Sequence, residues 1–282
     1  MIKLYFKQAW TLMKQEKLFS AIYIVGTGIA ISMVMGLAIV LVALLTNVYP
    51  EMNRDRMLIV NKGMVSYPEG NRRYSKLSEQ TLHACFDGIN DVEALSIVIE
   101  GNRPDNIQLP QGAEQMKAPM KLVDANFWKV FHFQFLQGKP FTEADFRSGL
   151  PVAVISESLA RAVFGSTEVV GQDLSYAFRN YRVCGVVKDV SAISHLSYAQ
   201  LWTPYTAREG YKPNDAWEET GVLGFYSAYL LVKEGADIHA VKQDGQERIR
   251  RFSHTLKEGH ALDCMDQPYT FVVNFFSSGF QY

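Results

Sequence analysis

The chain has 282 residues, 48% of them hydrophobic and 20% charged, with 28 Lys and Arg against 29 Asp and Glu. A net charge of −1 without clustered basic residues argues against a nucleic-acid partner. Cys85, Cys184 and Cys264 are too few and too scattered for a disulfide scaffold or a zinc site; they read as buried apolar residues, although one pair could oxidise outside the cytoplasm.

Residues 1–17 place Ile2, Tyr5, Phe6, Ala9, Trp10 and Met13 at helical spacing, with Lys3, Lys7 and Lys14 on other faces. This predicts an amphipathic juxtamembrane helix lying in the inner headgroup layer, with Tyr5 and Trp10 as interface anchors. Docking on a cytoplasmic partner is the alternative use of the same face.

Leu18–Val48 contains no charged residue and is flanked by Lys14 and Lys17 before it and Glu51 after it. A helix of this length, at about 1.5 Å per residue, exceeds the hydrocarbon core of about 30 Å, so residues 18–48 are predicted to cross a membrane. A cleaved leader would have an apolar region of only about 7–15 residues, and ALLTNVYPEM offers no small-residue cleavage site. Lys3, Lys7, Lys14 and Lys17 against Glu16 leave the first 17 residues at +3. By the positive-inside rule the N-terminus is cytoplasmic and the rest of the chain lies outside. Gly28, Ser32 and Gly36 recur every four residues and form a small-residue stripe suited to close packing on another membrane helix.

From residue 49 to 282 the pattern is that of a folded domain. Arg56–Asn61 predicts a strand, followed by a polar loop through Arg73. Ser78 caps a helix to about Asp87, Val92–Glu100 is a strand, and Gly101–Pro104 is a turn. Lys117–Val123 is extended, and the aromatics from Phe127 to Phe135 are expected to pack between a short helix and a strand. PVAVIS is a buried strand, Ser156 caps ESLARAVFG, and Gly165 closes that helix. Gln172–Phe178 and Tyr181–Val190 form a hairpin. Gln200–Pro204 and Gly224–Val232 are strands, Ile238–Phe252 is a helix, and Tyr269–Phe275 is the last expected strand. Strands alternating with helices, without dinucleotide-binding glycines, give an α+β (mixed α/β) extracytoplasmic domain.

The segments VAVISESLARAVFG, VVGQDL and YRVCGVVKDV, in that order, resemble the MacB-type periplasmic core domain of MacB/FtsX-like ABC transporter permeases. VDANFWKVFHFQFLQGKPFTEADF, NRDRMLIV and KQEKLFSAIYIVGTGIAIS fit the same pattern, so the resemblance touches most of the chain. It implies a permease whose first membrane helix is followed by a periplasmic domain of two lobes, then by three further membrane helices. No second apolar run precedes Tyr282, so the resemblance also implies a truncated reading frame or fragment. Such subunits work in pairs, identical or different, coupling ATP hydrolysis to movement of the periplasmic lobes.

No P-loop, HExxH, CxxC or GxSxG motif occurs, so no catalytic residue, metal ligand or cofactor is assigned, and ATP hydrolysis is expected from a separate subunit. Glu143 and Asp145 read as a helix start, and Ser156 and Ser158 as capping residues. The expected function is thus a transmembrane permease subunit, in contact with an ABC ATPase through residues 1–17, with a second permease subunit, with lipid, and with a periplasmic accessory protein or cargo. The rivals are a single-span sensor with a ligand-binding extracytoplasmic domain, and a membrane-tethered enzyme.

Overall fold

The computed structural model describes residues 2–100, 104–108, 115–213 and 216–277. It divides into two compact units, Met1–Thr46 and Asn47–Tyr282.

The first unit is two helices, α1 (Ile2–Gln15) and α2 (Lys17–Leu45), separated at Glu16, whose backbone (φ −108°, ψ 65°) is not helical. Apolar side chains project from every side of α2 and are exposed. Within it, Lys17–Ala43 is long and apolar enough to span a bilayer. The helix stops three residues short of the expected Val48, because Thr46 turns extended while its N–H and Oγ1 both donate to the Val42 carbonyl.

In the second unit, the 3-10 turn Arg54–Arg56 leads into β1 (Met57–Val60), all of it buried. Next come β2 (Gly63–Ser66) and β3 (Arg72–Leu77), a hairpin where the sequence predicts a loop. Its polar RRYSKL strand has no apolar alternation of its own; pairing with neighbouring strands makes it a strand. The following elements are α3 (Glu79–Phe86), β4 (Val92–Ile99), β5 (Asp105–Gln108), β6 (Gln115–Ala118), β7 (Met120–Val123), α4 (Phe127–Val130), β8 (Phe135–Gly138) and α5 (Glu143–Arg147). Of the turn expected at Gly101–Pro104, residues 101–103 lie outside the described residues. The chain continues through β9 (Val152–Ser156), α6 (Glu157–Phe164), β10 (Asp173–Tyr176), β11 (Arg179–Val187), β12 (Leu201–Pro204), β13 (Leu223–Gly224), β14 (Tyr226–Val232), α7 (Ile238–Ser253), β15 (Ala261–Asp263), β16 (Tyr269–Thr270) and α8 (Phe271–Ser277).

Among the described residues these strands form one sheet, ordered β15-β2-β3-β14-β4-β7-β12-β9-β11-β10-β5-β6, with β1 on β14, β13 on β3 and β8 on β11. Most pairs are antiparallel, but β12 runs parallel to β7 and β9 parallel to β11, so the domain is mixed α/β. One lobe packs α3 and α7 over Leu58, Ile97, Ala228 and Leu230; the other packs α6 over Ala153, Ile155 and Val183. Alternate residues of the same strands, Ile59, Val98, Tyr229, Leu231 and Val154, enter a third cluster with Phe127, Phe131 and Trp202, which joins the lobes. The aromatic run thus packs in a core, with Trp128 5.1 Å from Phe133 and 6.4 Å from Trp202 between ring centroids.

Ser78 and Ser156 cap α3 and α6, accepting from Thr81 N and Leu159 N, each at 3.2 Å, and Gly165 ends α6 with φ +72°. The predicted strand Tyr269–Phe275 is a strand only at Tyr269 and Thr270, which pair with Ile59 and Leu58. Beyond them Phe271 and Asn274 are buried while Val272, Val273 and Phe276 are exposed, a three-residue spacing that a helix satisfies and a strand does not.

Candidate coupling joint

The residues that follow α2 are bound to the domain body by a dense set of contacts, all within the second unit. Asn47 Oδ1 accepts from Arg54 N at 2.8 Å, and its Nδ2 donates to Asp55 at 3.0 Å, folding the segment back on itself. This turns Glu51 and Arg54 inward, where they are 0% and 2% exposed. Arg54 reaches one oxygen of Glu51 through Nε (2.8 Å) and a terminal nitrogen (2.7 Å). The other oxygen of Glu51 accepts from both N and Oγ of Ser197, each at 2.9 Å. A buried carboxylate with a guanidinium and two further donors is well compensated for its lost hydration.

Arg54 also donates to the Ile193 carbonyl at 3.0 Å, and its guanidinium lies 4.5 Å from the centroid of the Phe271 ring. His195 stands against the same ring at 5.6 Å and against Phe275 at 6.0 Å. Burial lowers the His195 imidazole below its usual pKa, against the opposing pull of Glu51. Tyr49 fixes the other side: its carbonyl accepts from Ser194 Oγ at 2.9 Å, and its hydroxyl accepts from Gln134 N at 3.0 Å and donates to the Lys188 carbonyl at 3.3 Å. Pro50 O accepts from His132 N at 2.9 Å. Arg56 closes the joint on Glu93 (2.9 Å) and the Val232 carbonyl (2.7 Å). Residues 47–56 therefore touch residues 132–134, residues 188–197 and the start of α8, besides Glu93 and Val232.

Behind the joint a charge row continues into the sheet. Lys121, 1% exposed, donates to the Leu196 carbonyl, and burial lowers its pKa against the attraction of Glu100 and Glu51. Glu100 accepts from Lys76 at 2.7 Å and from Tyr229 at 2.5 Å. Burial alone would raise its carboxyl, but Lys76 and Lys121 outweigh it and hold the group at about 2.

The residues singled out from the sequence lie elsewhere, in the first unit. Gly28, Ser32 and Gly36 lie along α2; nothing comes within 4 Å of a Cβ built on either glycine, and Ser32 Oγ donates to the Gly28 carbonyl at 2.8 Å. Trp10 is 57% exposed on α1, with the Lys14 ammonium 5.5 Å above its ring, which puts it at the border between the apolar and basic faces. Lys7 is exposed on the same helix, and Lys17 is the first residue of α2. Lys3 is within α1, but its side chain is outside the described residues. Glu51 and Arg54 were invisible as a site because charges just past an apolar helix read as solvated; their three-residue spacing on opposite signs was the only signal. Glu143 and Asp145 are a helix start as expected: Asp145 accepts from Thr142 N at 2.7 Å while Thr142 Oγ1 accepts from Asp145 N at 3.2 Å.

Residues 20–247 match the MacB-like periplasmic core domain family. A curated relative, the uncharacterized ABC transporter permease YknZ of Bacillus subtilis (strain 168), is 18% identical over 180 residues, which cover 64% of this chain and 43% of that protein. The chain thus spans less than half the length of that relative. Among solved structures, the periplasmic region of MacB from Actinobacillus actinomycetemcomitans superposes with a TM-score of 0.52 at 14% identity, covering 79% of this chain and 94% of that one. The extracellular domain of the noncanonic ABC-type transporter YknZ from Gram-positive bacteria gives a TM-score of 0.49 at 16% identity, over 72% of this chain and 100% of that one. A two-lobed mixed sheet behind an apolar N-terminal helix, matched along most of its length, places this chain in the MacB-like periplasmic core domain family of ABC transporter permeases.

Proposed function

We propose that this chain acts as the permease subunit, or a portion of it, of an ABC export or efflux system, in which ATP hydrolysed by a separate subunit moves the extracytoplasmic unit. In this reading α1 lies at the cytoplasmic face of a bacterial inner membrane, α2 crosses it, and the chain from Asn47 onward is periplasmic or extracellular. Lys3, Lys7, Trp10, Lys14 and Lys17 meet the ATPase or the inner lipid surface, and Gly28, Ser32 and Gly36 pack on a membrane helix of the same or a second permease subunit. The outer domain then engages cargo or an accessory protein. The basic N-terminal segment supports this orientation.

The observation that carries the reading is the buried Glu51–Arg54 pair. A flexible linker after a membrane helix would absorb its displacement, whereas residues 47–56 are bonded to several parts of the body, so that a displacement reaching them would be passed on to it. The family and the permease named among its relatives favour this over a sensor. Co-purification of the tagged chain with its ATPase tests the cytoplasmic side. Deletion of residues 1–17 is expected to abolish it; undiminished association would remove α1 from the coupling route.

A further inference from the structure

The turn joining β10 to β11 is built from Ala177 and Phe178, both left-handed, with φ of +49° and +63°. Two-residue hairpins of this hand favour Asn-Gly, Asp-Gly or Gly-Gly, since glycine enters the region without a Cβ clash. Phe178 is strained there, and at 82% exposure its ring contributes little to its own fold. The tip is nonetheless held stiffly. The buried Tyr176 donates its hydroxyl to the Ala118 carbonyl at 3.0 Å and accepts from Asp105 N at 3.1 Å, and Ala177 N donates to the Asn106 carbonyl at 2.9 Å. An aromatic ring fixed in a strained, exposed position by its surroundings is preorganised for a partner.

An open cleft lies in the other lobe of this same chain. Between α3 and Tyr211–Pro213 lies a cleft of about 440 Å³, with Ala84, Tyr211 and Pro213 as its less polar surface. The cleft is open to solvent, so a phenyl ring reaching it would lie against Ala84, Tyr211 and Pro213. The cleft also carries the carboxylates of Glu79, which accepts from Tyr211 at 3.0 Å, and Asp87, paired with His83 at 2.9 Å. The knob brings the opposite charge, because Arg179 follows Phe178 directly.

We propose that Phe178 of one copy seats in the α3–Tyr211 cleft of a second copy, with Arg179 facing the carboxylates. Knob and socket lie on different lobes, so a two-fold axis forms the contact twice in a dimer. The contact rests on the paired-subunit reading above, in its identical-copy form, and gives it a specific surface.

Two differently tagged full-length copies, one Phe178→Cys and the other Ala84→Cys, are co-expressed and treated with a short bismaleimide. A covalent heterodimer that forms only when both substitutions are present is expected. Co-purification of the tags without that product overturns the knob-and-socket contact and leaves the paired reading intact; failure of the tags to co-purify overturns both. Phe178→Gly gives a second readout. It is expected to raise the thermal midpoint by a few degrees through relief of the turn, yet to weaken association of the copies about tenfold or more. Unchanged association would overturn the proposal.

Discussion

Glu51 and Ser197 stand 146 residues apart in sequence, yet one carboxylate oxygen of Glu51 receives both the amide and the hydroxyl of Ser197, each at 2.9 Å. With Arg54 on the second oxygen, the carboxylate ties the segment that follows α2 to the stretch that precedes β12. Its energetic weight follows from burial: a lone charge in this place has lost its water and has no counterpart.

Glu51→Ala should therefore destabilise the fold by about 3–5 kcal/mol, because it leaves the Arg54 guanidinium buried without its carboxylate. The double variant Glu51→Leu/Arg54→Met, which removes both charges, should lose far less than the two single losses added together. Urea titrations followed by tryptophan fluorescence measure each term. Simple additivity would show that the two residues do not act as a unit.

Glu100 and Asp124 should give stability opposite dependences on pH. Glu100, held at about 2, contributes stability that is complete above its ordinary value of 4.5 and lost as pH falls toward 2. Burial raises Asp124 to about 7, against hydrogen bonds from Ile97 N, Ser96 and Phe127 N. The folded chain therefore keeps a proton that the unfolded chain releases near 3.8, and this contribution fades as pH rises from about 4 through 7. Thermal midpoints recorded from pH 2 to 8 should lose the acid limb in Glu100→Gln and flatten between pH 4 and 7 in Asp124→Asn. A wild-type profile retained in both would contradict these assignments.

Gly138 and Gly185 face each other where β8 meets β11. A Cβ on Gly138 would fall 2.2 Å from the Cys184 carbonyl oxygen, and Gly138 has φ +69°; one on Gly185 would fall 2.8 Å from the Lys139 carbonyl oxygen. Gly138→Ala combines a left-handed strain with a backbone clash, so it should cost about 3 kcal/mol or more, read from the shift of the denaturation midpoint. Gly165→Ala is the control: its φ is also positive, but nothing lies within 4 Å of its Cβ, so its loss should be smaller.

Local signals were legible in the sequence where a residue acts on its own neighbours. Ser78, Ser156 and Gly165 do so, and each caps the helix expected of it. The PVAVIS strand and the hairpin after Gly171 were legible for the same reason. The elements that were not legible depend on distant partners. The polar strand Arg72–Leu77 exists through β2, β13 and β14, and Phe271 ends a strand to begin a helix beside Arg54 and His195. The Glu51–Arg54 joint was hidden for that reason too, since nothing near Glu51 in sequence announces Ser197.

The stripe of Gly28, Ser32 and Gly36 permits a test that separates folding from association. Open space surrounds both glycines, and the Ser32 hydroxyl is bonded within its own helix, so larger side chains meet no obstacle inside α2. Gly28→Leu and Gly36→Leu should leave helicity unchanged or slightly higher, because leucine favours the helix over glycine by somewhat less than about 1 kcal/mol. If another membrane helix packs on this stripe, the same substitutions should hold it away by the width of a side chain and lower association in detergent, since close approach of small residues is what such contacts depend on. Circular dichroism reads the first effect, and energy transfer between labelled copies or co-expressed helices reads the second. Undiminished transfer with either leucine in place would move the packing face of α2 elsewhere.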